Sequence, residues 1–304
     1  MRLLRRTLAS LAFAVPVLAA AVPVAADTDI TWGTSAVGSS GHKALVNLAN
    51  VLNKEFKGYQ VTVQAMPGAI VSVKSYASGK TLGYYGADIA FYELANGTNR
   101  FKGFKEQMKR QPVQSFWTFT VEVGVAINAR DKDTIKSWGD LTGKQFFSGP
   151  LPWDTRAHLE RGLAAVGAKH NYIEVDLATA GSLMESKRLD GFIIYTNAEA
   201  TTAPWITEAG LTTNWLALNP SKDEEAKLNK AGIALTEVKA EAFKRDIGMP
   251  SVKLLPFYYG FHVGMEIPEA DVYRMLTIVE KNVDELVSLD KAFAQLKDMA
   301  GMQP

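Results

Sequence analysis

The stretch Ile30-Thr31-Trp32-Gly33-Thr34-Ser35-Ala36-Val37-Gly38-Ser39-Ser40-Gly41-His42 decides how the rest of the chain is read. It opens on a β-prone run, passes through a loop of Gly, Ser and Thr, and leads into an apolar-periodic segment starting near Lys43. A strand, a Gly/Ser loop and a helix start, in that order, point backbone N–H groups and hydroxyls at one spot. The first turn of a helix has unpaired donors and the positive end of the macrodipole, so the spot suits an anion. The same residues also serve as turn formers and as an N-cap, and both readings stay open.

Sharper motifs are excluded. A P-loop needs Lys after its last Gly, and here Ser39 follows Gly38. The dinucleotide fingerprint fails because Ser35 stands where its second Gly belongs. The nucleophile elbow fails because His42 follows Gly38-Ser39-Ser40-Gly41. What is left is a cradle without machinery for covalent chemistry.

The wider chain agrees. Its 304 residues are 47% hydrophobic and 21% charged, enough for one large or two medium domains. With 0 Cys there is no thiolate nucleophile and no Cys-ligated metal or cluster. The 4 histidines, His42, His158, His170 and His262, are scattered, so no metal site is expected. No cofactor is expected either.

Residues 1–26 read as an export signal: Arg2, Arg5 and Arg6, then an apolar Leu8–Val24 run, then small residues before Asp27. Cleavage near Ala26 predicts an exported, periplasmic protein. Losing the three arginines takes the formal charge from +1 to −2, which offers nothing to a nucleic acid or a membrane surface.

Strand and helix patterns alternate from Asp27 onward, the signature of an α/β sheet. Tyr59–Ala65 reads as a second strand, Ile70–Ser78 as a helix, and Gly86–Tyr92 as a third strand ending in a loop. Phe116–Ala129 reads as a strand leaving a first lobe for a second, and Tyr258–Met265 as the strand returning. A helix is expected over Thr155–Val166, others over Gly181–Leu189 and Thr202–Ala209, and a last one from Pro268 to Val287. The division predicted is residues 27–120 with 260–304 as lobe 1 and 121–259 as lobe 2.

Three blocks carry a family resemblance. Gly33-Thr34-Ser35-Ala36-Val37-Gly38-Ser39-Ser40-Gly41-His42-Lys43 resembles the glycine-rich loop of the TAXI group of extracytoplasmic solute receptors, which serve TRAP transporters. The Val61–Phe91 block, with Ser78-Gly79 and Ala87-Asp88-Ile89-Ala90, is similar to that family's strand, turn and helix. Ile135-Lys136-Ser137-Trp138-Gly139-Asp140-Leu141-Thr142-Gly143-Lys144 resembles the start of its second lobe, and Leu189–Ile194 and Glu269–Leu286 fall where it has matching segments. The chain departs from the pattern at Ala36-Val37, at His42 and over Ser148–Arg156, where the family tends to carry further glycines, a Tyr and a Gly-Ser-Gly-Thr run.

The resemblance implies a type II clamshell of two mixed sheets flanked by helices and joined by crossover strands. Its members close around a small organic acid or amino acid and present it to a membrane permease, so the implied partners are a carboxylate and a TRAP permease. A monomer is expected.

In a clamshell, ligand sits among loops at the carboxyl ends of strands. That selects Thr34, Ser35, Ser39 and Ser40, then Pro67, Gly68 and Ala69, then Tyr92. From the second lobe it selects Trp153, Asp154, Thr155, Arg156, Tyr195 and Asn197. Arg156 is expected to fork a carboxylate through parallel hydrogen bonds, Trp153 to cover it, and the tyrosines to donate hydroxyls. The alternative reading is a secreted hydrolase using Ser39 or Ser40 with His42, which needs the pair to meet in space.

Overall fold

In the computed structural model, which describes residues 27–302, the chain twice lays down the same strand–helix–strand–helix–strand run. The export segment, 1–26, lies outside the described residues. The first run is β1 (Thr28–Gly33), α1 (Ser40–Glu55), β2 (Tyr59–Gln64), α2 (Ala69–Ala77) and β3 (Gly83–Ala87), followed by α3 (Asp88–Asn96). A long strand β4 (Phe119–Asn128) then carries the chain into the second run. That run is β5 (Gln145–Phe147), α4 (Asp154–Val166), β6 (Asn171–Tyr172), α5 (Ala180–Glu185) and β7 (Gly191–Asn197).

After β8 (Thr201–Thr202) come α6 (Pro204–Thr212), β9 (Trp215–Leu218), α7 (Lys222–Lys230) and β10 (Thr236–Lys239). The strand β11 (Ser251–Val263) returns to the first half, and α8 (Glu269–Lys281) and α9 (Val283–Leu289) close the chain against α1. No helix among the described residues is long and apolar enough to cross a membrane.

The strand order is β2-β1-β3-β11-β4-β7-β5-β6, with β9 on β4, β10 on β11 and β8 on β7. Each half places its first strand between its second and third, all parallel, then adds the strand arriving from the other half antiparallel to the third. That is the type II solute-binding architecture. β4 and β11 are the crossovers: β11 pairs β10, then β4, then β3, while β4 pairs β11, then β7 and β9. Parallel pairing puts the carboxyl ends of β1, β2 and β5 at the mouths of α1, α2 and α4, which is where loops from both halves gather.

Several elements differ from the sequence reading. The third strand ends at Ala87, and Asp88–Asn96 is helical. The Asp88 carboxylate accepts the Ile89 N–H at 2.5 Å, and Ile89, Ala90, Phe91 and Leu94 bury one face. A short apolar run does not distinguish strand from helix by period alone. The returning strand begins at Ser251, ahead of Pro256, a residue that reads as a strand breaker. Its partner β10 is the polar run T-E-V-K, which carries no alternation to notice.

The helix expected over Gly181–Leu189 stops at Glu185, and Lys187 takes a left-handed turn. The last helix breaks at Asn282. The first starts at Ser40, one turn before Lys43, with Ser39 as its cap.

Candidate functional site

A cavity of about 40 Å³, room for the centres of a few water-sized groups, lies where the two halves meet. Its first wall is the β1–α1 loop. Ser39 accepts the His42 N–H at 3.2 Å and so caps α1, while its Oγ meets Ser35 Oγ at 2.6 Å. Gly41, the second residue of the helix, lets it lie against Tyr85; a Cβ there would overlap the ring. Ala69 of α2, Val121 of β4 and Tyr259 of β11 complete the first side.

The second wall is Trp153 and Thr155 at the start of α4, with Tyr195 and Asn197 of β7. Asn197 Nδ2 donates to Ser40 Oγ at 3.1 Å across the halves. The Gly68 backbone touches Pro152, whose carbonyl oxygen would stand 2.8 Å from any Cβ at residue 68.

Of the residues expected at the ligand, Ser35, Ser39, Ser40, Ala69, Trp153, Thr155, Tyr195 and Asn197 line this cavity. Thr34, Pro67, Gly68, Tyr92, Asp154 and Arg156 do not. Thr34 is fully buried with its hydroxyl unpartnered, and Gly68 serves the contact between the halves. Pro67 precedes it in the same loop. Tyr92 sits on α3 rather than after a strand, 59% exposed, with the Arg161 guanidinium over its ring at 5.8 Å.

Arg156 was expected to fork a carboxylate. Instead its guanidinium lies over the Tyr172 ring at 4.3 Å and 3.5 Å from Glu160, with Nε buried and unpartnered. Helical spacing explains this. At position i of an (i, i+4) pair with Glu160, Arg156 follows the flank of α4, while Thr155 one residue earlier takes the cavity side.

Asp154 is fully buried and belongs to a network that the sequence does not announce. Arg100 Nη1 meets Asp154 Oδ1 at 2.5 Å, and Arg100 Nε meets Glu93 at 2.7 Å. The Tyr259 hydroxyl donates to Asp154 Oδ2 at 2.9 Å. Burial works against the Arg100 charge, but Asp154 and Glu93 outweigh it and raise the pKa of the group.

Tyr85, Tyr195 and Tyr259 are pushed well above the ordinary phenol range by burial, so all three face the site as neutral phenols. Tyr195 accepts the Trp205 Nε1–H at 3.2 Å, which leaves its own proton free. The rings of Tyr85 and Tyr259 stack 4.5 Å apart.

Sequence reading missed Tyr85, Tyr259 and Val121. β3, β4 and most of β11 are buried on both faces, so their period-2 pattern carries no contrast that singles these residues out. The Ser39 hydroxyl is engaged by His42 N–H and Ser35, and that of Ser40 by Asn197, so neither is held by an imidazole. Among the described residues no cluster of His, Asp or Glu is arranged to hold a metal ion.

Residues 32–302 match the NMT1-like family. The chain belongs to that family. Among solved structures, XAC2383 from Xanthomonas citri, bound to chloride ion, aligns over 91% of this chain and 91% of its own at 9% identity, with a TM-score of 0.50. The periplasmic aliphatic sulphonate-binding protein SsuA from Escherichia coli aligns over 92% and 80% at 12% identity, TM-score 0.48. The GluR0 ligand-binding core in complex with L-glutamate aligns over 90% and 99% at 10% identity, TM-score 0.49. These are likenesses of fold. No curated protein matches the NMT1-like chain in sequence.

Proposed function

We propose that this NMT1-like protein is an extracytoplasmic receptor that captures a small organic anion between its two halves and hands it to a TRAP-type secondary transporter. The observation that carries the reading is the chamber itself, walled by loops from both halves and lined by hydroxyls, aromatic rings and helix starts without a nucleophile–base pair. Binding, with no bond made or broken, is what such a lining does well. An export signal over residues 1–26 fits delivery outside the cytoplasm, and the mature chain acts as a monomer. Lobe 1 is residues 27–120 with 260–304 and lobe 2 is 121–259, the boundaries falling inside the crossover strands β4 and β11.

The test is a thermal-shift screen of the chain from Asp27 onward against organic acids and amino acids, followed by uptake in vesicles carrying a TRAP permease. A ligand at a hundred times its Kd stabilises the folded state by about 2.7 kcal/mol, a readily measured rise in Tm. A flat screen across acids, amino acids and neutral solutes overturns the receptor reading. Binding without permease-dependent uptake overturns the TRAP assignment alone.

A further inference from the structure

The helices that meet at the cavity do not begin alike. α1 is capped by Ser39, and α7, which lines none of the cavity, has a full capping box of Ser221 and Glu224. α2 and α4 start with no side-chain cap: the N-cap of one is Gly68, which has no side chain, and that of the other is Trp153. Both starts are buried, with Ala69 at 3% and Thr155 at 6% exposure, and both residues line the cavity. A helix start without a cap leaves first-turn N–H groups in need of an acceptor from outside the helix.

A second observation points the same way. The Thr155 hydroxyl, buried at the cavity wall, has no hydrogen-bond partner. Two uncapped starts and an unanswered hydroxyl converge on one small space. A group that accepts several hydrogen bonds from a compact volume satisfies all of them together, and a carboxylate is such a group.

No cationic side chain lines this space. Arg156 is turned to Tyr172 and Glu160. Arg100 is held between Asp154 and Glu93, and Lys74 donates to its carbonyl, so the cations behind the wall are already engaged there. With no cation at the wall, nothing offsets a second charge on the ligand. Much of the remaining wall is rings, Trp153, Tyr85, Tyr195 and Tyr259, beside serines and Asn197 that already bond one another.

Resting on the receptor reading, we infer that the ligand is a compact, singly charged carboxylate. Its anionic group sits between the starts of α2 and α4, held by first-turn amides and the Thr155 hydroxyl, with Arg156 outside the site. Backbone dipoles and one hydroxyl supply the recognition that a guanidinium was expected to give.

The experiment is calorimetry on the chain from Asp27 with propionate, lactate and pyruvate, against propionamide and lactamide as neutral matches and succinate as the dianion. At least one monocarboxylate is expected to bind at least tenfold more tightly than its amide and than succinate. Thr155→Val is expected to weaken that binding about tenfold, Thr155→Ser to restore it, and Arg156→Gln to change it by less than twofold. Melting curves of the three variants check that the fold is intact.

An amide or succinate binding as well as the monocarboxylates overturns the inference and leaves the receptor standing. So does a tenfold loss with Arg156→Gln, or no loss with Thr155→Val. Failure of every solute here and in the wider screen overturns the receptor reading as well.

Discussion

In the wall of the cleft built from Gly33–Gly41, the serines that line the cavity are all engaged: Ser39 caps α1, Ser35 bonds Ser39, and Ser40 accepts from Asn197. In the wall built from Pro150–Arg156, polar groups stay open: α4 starts uncapped and the Thr155 hydroxyl is unpartnered. A wall whose bonds are complete keeps its shape with or without a guest. A wall with open donors gains hydrogen bonds when something arrives to meet them. The contrast separates a serine-built wall that is satisfied on its own from the uncapped helix starts, one in each half, that face the cavity.

The contrast breaks most visibly at Arg100, which ties the second wall to the first half through Asp154. Arg100→Ala leaves the buried carboxylates of Asp154 and Glu93 without their cation. The expected loss of stability is roughly 3–5 kcal/mol in urea unfolding at pH 7. A loss within the noise of the measurement would remove the network as a tie between the halves.

Next in size is a pH effect housed on α4. His158 packs on the Phe257 ring at 4.8 Å with both ring nitrogens unpartnered. Burial, with the Arg161 charge adding, holds its imidazole down at about 4. An unfolded histidine titrates near ~6.5. Below that pH the unfolded chain takes up a proton that the folded one refuses, so stability falls as pH drops from about 6.5 toward 4.

His158→Phe is therefore expected to remove about 2 kcal/mol of the difference in unfolding free energy between pH 7 and pH 5, read from urea titrations at the two values. Asp88 works with the opposite sign. Burial raises its carboxyl to about 6, so the folded chain protonates first and gains as pH falls. Asp88→Asn should accordingly steepen the acid-side loss.

Smaller effects sharpen the comparison. Ser39→Ala removes the cap of the self-satisfied wall and should cost about 1 kcal/mol. Arg156→Gln removes a ring contact and a partly exposed ion pair, and should cost about 0.5 kcal/mol. Equal losses from these two variants would blur the distinction between a built wall and an open one.

What could be read beforehand follows the range of the interactions. The β1–α1 loop was legible because its chemistry is local: glycine turns, a serine cap and a periodic helix stand within a dozen residues. The strand Trp215–Leu218 and the helix closed by Gly167 were legible for the same reason, the latter through a left-handed glycine. The crossover role of β4 showed in its length and apolarity. The short apolar run after Gly86 fits either period, so the sequence alone does not place Tyr92 on α3.

Arg156 was drawn toward the ligand by its charge and its position near a helix start. A one-residue difference in helical phase sends Thr155 inward instead. Arg100 could not be found at all, since its partner Asp154 lies 54 residues away and only the fold brings them together.

The touch between Gly68 and Pro152 has a further bearing. Residue 68 has an extended backbone that any amino acid adopts, so only the proximity of the opposite carbonyl demands that it lack a side chain. The tightness of the seam is thus set by an atom the chain does not possess. A methyl group there would act as a wedge between the two halves, prising apart the edge of the chamber that their contact now seals.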